Sequence, residues 1–472
     1  MVKVEEYSLI KKTLQEERKM KKILSVICGL VVATSLFAAA KKGPVTLNVW
    51  SFTDEVPGMI EKYIATHPDC GFDQKVTIIA TTNGEYEPAL IRALQNGDVD
   101  IYAAESAFVL KYTKGDMSDY AAAYKDLGIK IDKAVKDAEI AQYTIDIGSN
   151  PKGQIVGLGY QATGGCFIYN RSVAKKVFGS DDPKTVQAAI GGGTQSWTKF
   201  WDAAQKCADK GCAIISGEGD IWHVFEVGGD KGWVTEDGKL QIDPKREEFF
   251  DVAKKLADGG YSNKTQDWTE AWFADMQQKG AKPCLGFFGP AWLVNYSMAD
   301  NCGGKKAGEG TYGDWAVCNS PVGFWWGGTW VLASKAAAKD KNKKAAAKAI
   351  IEWITLDTSK DGLLYQWANG LFQWKYGKGA DATAVTKDAV SSGKVMAISN
   401  GTTAFLGGQN MFDYFIPAGS YASGKTLGQY DSDINLIWRD QVRAYVAGNK
   451  TKAQAIKDFK QTVADKLGLD ID

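Results

Sequence analysis

The chain has 472 residues, 45% of them hydrophobic and 24% charged, and its 56 basic and 56 acidic side chains leave no formal net charge. This length leaves room for two or three domains, and the composition is that of a globular protein, not a disordered or fibrous one. The charge balance argues against non-specific binding to nucleic acid or to an anionic membrane.

Met20-Lys21-Lys22, an apolar run over 23–37 and the small residues Ala38-Ala39-Ala40 read as an export signal at 20–40. The run is short for a membrane span. Residues 1–19 are highly charged and fit no targeting class; they read as a spurious or disordered extension. Next, 45–50 alternates as a strand, 57–66 reads as a helix, and 75–80 as a strand. A helix over 87–95 closes at Asn96-Gly97, and 100–104 is a buried strand. This alternation predicts an α/β fold with parallel strands. In such sheets ligands sit beyond the carboxyl ends of the strands, which marks 51–55, 81–85 and Glu105-Ser106.

Glycines 157, 159, 164 and 165 then precede a strand ending Phe167-Ile168-Tyr169-Asn170. Helices are expected over 182–189 and 196–209, the second with Ser196 as N-cap. Residues 216–233, with Trp222, His223 and Trp233, read as a loop. Amphipathic helices follow over 243–259 and 269–280. An Ala/Lys-rich helix covers 334–356, its basic stretch a solvated face, and helices over 436–447 and 451–467 end the chain.

Tryptophan is concentrated in Phe287-Phe288-Gly289-Pro290-Ala291-Trp292 and Phe324-Trp325-Trp326-Gly327-Gly328-Thr329-Trp330. Core aromatics normally recur at helix or strand period. Trp325 and Trp326 are adjacent and would face opposite ways in a strand, and the glycines after them allow a turn or a close ligand. Two core strands and a cleft wall both fit this pattern.

Cys207 and Cys212 bracket a short turn, and Cys302 and Cys318 a Gly/Lys-rich loop; an exported chain could bridge either pair, although spacing does not settle connectivity. With two histidines and no Cys-x-x-Cys pair, no metal site is expected. Nucleophile-elbow, zinc-protease and P-loop motifs are absent, so neither a catalytic residue nor a cofactor is expected.

The order of these pieces resembles the family-1 extracellular solute-binding proteins of ABC importers, the carbohydrate type similar to maltose-binding protein. The likeness rests on Leu47-Asn48-Val49-Trp50-Ser51, on the acidic-serine strand end Glu105-Ser106, and on the segment from Gly159-Tyr160-Gln161 to Tyr169-Asn170-Arg171. It continues through Gln195-Ser196-Trp197-Thr198-Lys199-Phe200, Gly289-Pro290-Ala291-Trp292, Gly327-Gly328-Thr329-Trp330 before Ser334-Lys335, and Tyr445-Val446-Ala447-Gly448 with Ala455-Ile456. It covers nearly all of the chain after the signal; the cysteines and the tryptophan content depart from the pattern.

The resemblance implies a two-lobed periplasmic binding protein fold (type II-like), each lobe a mainly parallel sheet flanked by helices, with the ligand cleft between them. Lobe 1 would comprise 41–157 and 323–376, lobe 2 would comprise 158–322 and 377–472, and the crossings would lie near Leu158, Val322 and Tyr376. Hinge closure would trap the ligand. The implied role is periplasmic capture of a neutral sugar or oligosaccharide by a monomer, with delivery to a membrane permease driven by a separate ATPase.

Sugar rings offer apolar faces and a rim of hydroxyls, so aromatic platforms and carboxylate or amide partners suit them. Trp50, Trp222, Trp292, Trp325, Trp326 and Trp374 are the stacking candidates. Asp54, Glu55, Asn83, Glu85, Glu105 and Asn369 are candidate hydroxyl partners, with Ser106, Tyr160 and Gly327 beside them. Trp325 and Trp292 are expected in the cleft, whereas Trp353 and Trp367 fall on helices and belong to the core. A polyamine would use the same residue types, and a secreted glycosidase would need paired carboxylates; these are the alternatives.

Overall fold

Leu47, Val49 and Ser51 are buried while Thr46, Asn48 and Trp50 lie on the more open side, the two-residue period of a half-covered strand. The computed structural model describes residues 44–383 and 387–471. The expected signal at 20–40 and the extension at 1–19 lie outside the described residues. From Thr46 onward the described elements belong to one compact unit.

The strands are β1 (Val45–Ser51), β2 (Phe72–Ile78), β3 (Ile101–Glu105), β4 (Gly157–Gly159), β5 (Cys166–Asn170), β6 (Ala213–Gly217), β7 (Ser262–Thr265), β8 (Cys284–Gly289), β9 (Trp315–Asn319) and β10 (Thr329–Ala333). They form two five-stranded sheets, in the orders β2-β1-β3-β10-β4 and β7-β6-β8-β5-β9. In the first, β1 runs parallel to β3, while β10 runs antiparallel to β3 and β4. In the second, β6 is parallel to β7 and β8, while β5 is antiparallel to β8 and β9. In each sheet, then, a single strand opposes the neighbours that flank it. The chain leaves the first sheet after Gly159, enters the second at Cys166, and returns between Asn319 and Thr329.

The helices that bear on the site are α1 (Glu55–Thr66), α2 (Thr198–Asp209), α3 (Glu218–Val227), α4 (Pro244–Asp258), α5 (Lys341–Thr355), α6 (Leu363–Ala368), α7 (Asp431–Val446) and α8 (Lys452–Leu467). Trp438 of α7 packs on Phe459 of α8 at 4.7 Å and edge-on against Phe250 of α4 at 4.8 Å, which fastens the two C-terminal helices to the second sheet's layer. Trp353 and Trp367 are buried on α5 and α6, as expected.

Three local expectations change. Residues 218–227 are helical, not a loop, and their one glycine, Gly219, serves packing. A Cβ on Gly219 would lie 2.5 Å from Asp267 Oδ1 and 2.8 Å from Arg439 Nη2. The 334–356 helix is two, Lys335–Lys339 and α5, because Asp340 is extended and its side chain accepts from the Asn342 and Lys343 amides to start the second. Trp197, not Ser196, precedes α2 at the cap position, although Ser196 Oγ still accepts from the Thr198 amide at 3.3 Å.

The disulfide expectation also needs correction. Every cysteine among the described residues is a free thiol, including Cys207, Cys212, Cys302 and Cys318. Cys302 donates to the Gly304 carbonyl at 3.2 Å, and Cys318 lies within β9, in register with Phe167. Bracketing a loop brought neither pair into a bridge.

Candidate ligand-binding cleft

The two crossing segments are tied to each other. Gly165 N–H donates to Phe324 O at 2.9 Å, Trp326 N–H to Thr163 O at 3.0 Å, and Thr163 Oγ1 to Gly327 O at 3.0 Å. This clamp holds Trp325 and Trp326 between the layers of the two sheets. Gly327 has φ of 77°, and a Cβ there would lie 3.1 Å from the Trp292 indole nitrogen, so both conformation and space call for glycine.

A cavity of about 190 Å³ opens beside the clamp. Glu105 and Ser106, at the end of β3, contribute from the first sheet. Trp222, His223 and Glu226 of α3 and Asp431, Asn435 and Arg439 of α7 contribute from the second, and Trp325, Trp326 and Gly327 form the crossing wall. Of the expected residues it thus gathers Glu105, Ser106, Trp222, Trp325, Trp326 and Gly327. A larger groove of about 1090 Å³ runs along Ile131–Asp137, but lysines and isoleucines dominate its lining and no expected site residue reaches it.

The tryptophans divide by exposure. Trp325 is 4% exposed, stacks on Tyr143 at 5.5 Å and donates Nε1–H to Ser423 O at 2.9 Å. Trp326 is half-buried, lies face to face with His223 at 3.8 Å and meets Trp292 edge-on at 4.7 Å. Trp292 donates Nε1–H to Trp326 O at 3.0 Å. Trp268, 52% exposed and held at φ of 66°, extends this wall parallel to Trp292. Trp222 is buried against Phe249.

The polar lining is ordered. Glu105 accepts from Ser106 Oγ at 2.6 Å and from the Ala107 amide at 2.8 Å. Burial nevertheless pushes its carboxyl up, and Glu226 adds to the shift. Glu226 accepts from His223 Nδ1 at 2.9 Å and from Asn435 Nδ2 at 3.0 Å. Arg439 is turned away, forked onto Asp267 at 2.5 and 3.1 Å. Burial pushes the Asp431 carboxyl up to about 7.

The remaining expected residues lie elsewhere. Trp50 is half-buried on β1. Asp54 pairs with Lys375 at 2.9 Å, and Trp374 donates to Glu61 of α1 at 3.1 Å. Asn83 and Glu85 are exposed at a turn and a helix start. Asn369 bonds Ser399 and the Asn400 amide, which ties two loops together. Tyr160 donates to Glu55 Oε2 at 2.5 Å.

The model of the bacterial extracellular solute-binding protein family matches residues 50–361. The chain belongs to that family. No curated protein matches it. Among solved structures, an extracellular solute-binding protein of family 1 aligns with a TM-score of 0.69 and 18% identity, over 90% of this chain and 99% of that one. The galacto-N-biose-/lacto-N-biose I-binding protein of an ABC transporter from Bifidobacterium longum, in complex with lacto-N-biose, aligns at 0.61 and 16%, over 91% and 99%. A cyclic alpha-maltosyl-1,6-maltose binding protein from Arthrobacter globiformis aligns at 0.57 and 16%, over 89% and 98%. These likenesses establish the two-lobed periplasmic binding protein fold, and the two sheets are its lobes.

This solute-binding protein carries a second buried acid group near its crossings. Asp388 accepts from the Ala389 amide at 2.8 Å and from Asn295 at 3.3 Å, and the Trp367 side chain lies close enough to interact with it. Burial pushes it up to about 8, and Glu55 adds to this. Such a carboxyl holds its proton more tightly folded than unfolded. Its contribution to stability is therefore complete below about pH 4 and is lost as pH rises through about 8, at no more than ~1.4 kcal/mol per pH unit. Asp388→Asn stays neutral throughout. By scanning calorimetry it should melt above the wild type at pH 8, with the gap closing toward pH 5; a gap constant with pH would refute the assignment.

Sequence reasoning missed Trp268, Glu226, Asp431, Asn435 and Arg439 as lining or wall residues and left His223 in a loop. Once 218–227 is helical, His223 and Glu226 fall three apart on one face, the one signal that could have found them.

Proposed function

We propose that this chain is the substrate-binding component of an ABC importer and that it captures a sugar or oligosaccharide between its lobes. The observation that carries the reading is the aromatic wall of Trp326, Trp292 and the exposed Trp268, whose Trp326 lines the cavity with Glu105 and Glu226. Flat rings bury the C–H faces of a pyranose while carboxylates take its hydroxyls. Solved relatives of the same fold that bind lacto-N-biose and cyclic maltosyl-maltose support it. Lobe boundaries at 157/158, 322/323 and 376/377 would make the 160–165 and 322–328 clamp part of the hinge. Export by the 20–40 signal would place the protein in the periplasm as a monomer that presents its closed form to a membrane permease. Its task is capture, not catalysis.

A thermal-shift screen of mono- and oligosaccharides tests the reading. A saccharide at a hundred times its Kd adds about 2.7 kcal/mol to stability, so at least one should raise the melting temperature by several degrees. A panel that moves nothing, or chromogenic glycosides that are hydrolysed, would count against it.

A further inference from the structure

The cleft cavity is short of donors and rich in acceptors. Ser106 Oγ is spent on Glu105, Asn435 Nδ2 on Glu226, and the Arg439 head on Asp267, which leaves only its Nε without a partner. One carboxylate oxygen stays open in a side chain that is almost wholly buried, Asp431 Oδ2, in a residue 6% exposed, and His223 Nε2, in one 5% exposed, is likewise without a partner.

The carboxylates also come from opposite lobes. Glu105 ends β3 of the first, whereas Glu226 and Asp431 belong to α3 and α7 on the second. Glu226 raises Asp431 on its own wall and Glu105 on the facing one, so Glu105 and Glu226 repel each other across the cavity. Arg246 and Lys114 near Asp431, and Arg246 and Arg439 near Glu226, offset part of this. A hydroxyl entering the cavity would satisfy lone pairs but leave the repulsion in place. A cation would satisfy both and would draw the lobes together.

We propose that the ligand carries an ammonium group, seated between Glu105 of one lobe and Glu226 with Asp431 of the other, so that an amino sugar and not a neutral one is the solute captured. This rests on the saccharide reading above, and it replaces the neutral sugar that the family resemblance implied. An ammonium has three N–H donors, one for the unpartnered Asp431 Oδ2 and two for the remaining lone pairs of Glu105 and Glu226. The tryptophan wall would hold the attached ring.

Titration calorimetry with the purified protein tests it, using chitobiose, its N,N′-diacetyl form, cellobiose and spermidine at a pH that keeps the amines charged. The three sugars share a backbone, so the comparison isolates the charge. Chitobiose should bind at least tenfold tighter than the diacetyl form and cellobiose, and Glu105→Gln and Asp431→Asn, with melting temperature as a folding control, should each erase that preference. Equal or tighter binding of the acetylated or neutral sugar overturns the ammonium site and leaves the saccharide reading standing. Spermidine binding without any sugar binding upholds the ammonium site and overturns the saccharide reading. Silence from all four overturns the ammonium site, and the wider saccharide screen then decides the other reading separately.

Discussion

Trp326→Ala should weaken saccharide binding at least tenfold, about 1.4 kcal/mol, while leaving the protein folded. The ring is half-buried and spans His223, Trp292 and Trp268, so its removal breaks up the aromatic wall where that wall meets the cavity. Trp325→Ala should behave differently. That ring is 4% exposed, stacked on Tyr143 and bonded to the Ser423 carbonyl, and truncating a buried ring of this size costs ~3–5 kcal/mol. Its variant should show a large loss of stability in urea, and weaker binding chiefly because the clamp loosens. Calorimetric titration of both variants beside urea unfolding separates the two roles. If Trp325→Ala loses affinity at full stability while Trp326→Ala binds normally, the assignment is reversed and Trp325 is the platform.

Arg439→Met should cost ~3–5 kcal/mol in unfolding free energy, the range for removing one partner of a buried ion pair. Arg439 is 12% exposed at its side chain and forks onto Asp267, itself 10% exposed, with Glu218 close by at 3.8 Å. Burial works to raise the Asp267 carboxyl, but the Arg439 bonds and charge hold it below the ordinary carboxylate range. Without the guanidinium, Asp267 becomes a buried charge answered by Arg443 at 3.5 Å and, more weakly, by His223. Adding Asp267→Asn to Arg439→Met should restore part of the loss, and the double-mutant cycle measures the coupling. A single-variant cost below about 1 kcal/mol would put the pair in the class of solvent-screened surface bridges. Because Arg439 also borders the cavity, its loss should reach ligand affinity through the positions of α3 and α7.

How far the sequence could be read depended on the range of each signal. The strand at 45–50, the glycine stop at Gly97 and the C-terminal helices were legible because alternation, capping and amphipathic period are local. The 218–227 helix was not legible, because its Gly219 looks like a loop residue until Asp267 and Arg439 are seen packed over it. The cleft was half legible. Glu105 and Ser106 follow from their place at the end of a parallel strand, and Trp325 and Trp326 from their density. Trp50, Asn83 and Glu85 met the same criteria yet stand apart from the cavity, since many strand ends point toward a cleft and few reach it.

By itself, then, the amino-acid sequence carried the α/β alternation, because strand and helix periods survive without coordinates, and the order of its motifs carried the resemblance that implied two lobes and the solute-binding family. Tertiary structure alone decided which tryptophan is open and which is packed, and that Glu105 shares a cavity with Glu226 and Asp431 on the opposite lobe. Those facts depend on how distant segments pack against one another, and no local period in the chain carries that information.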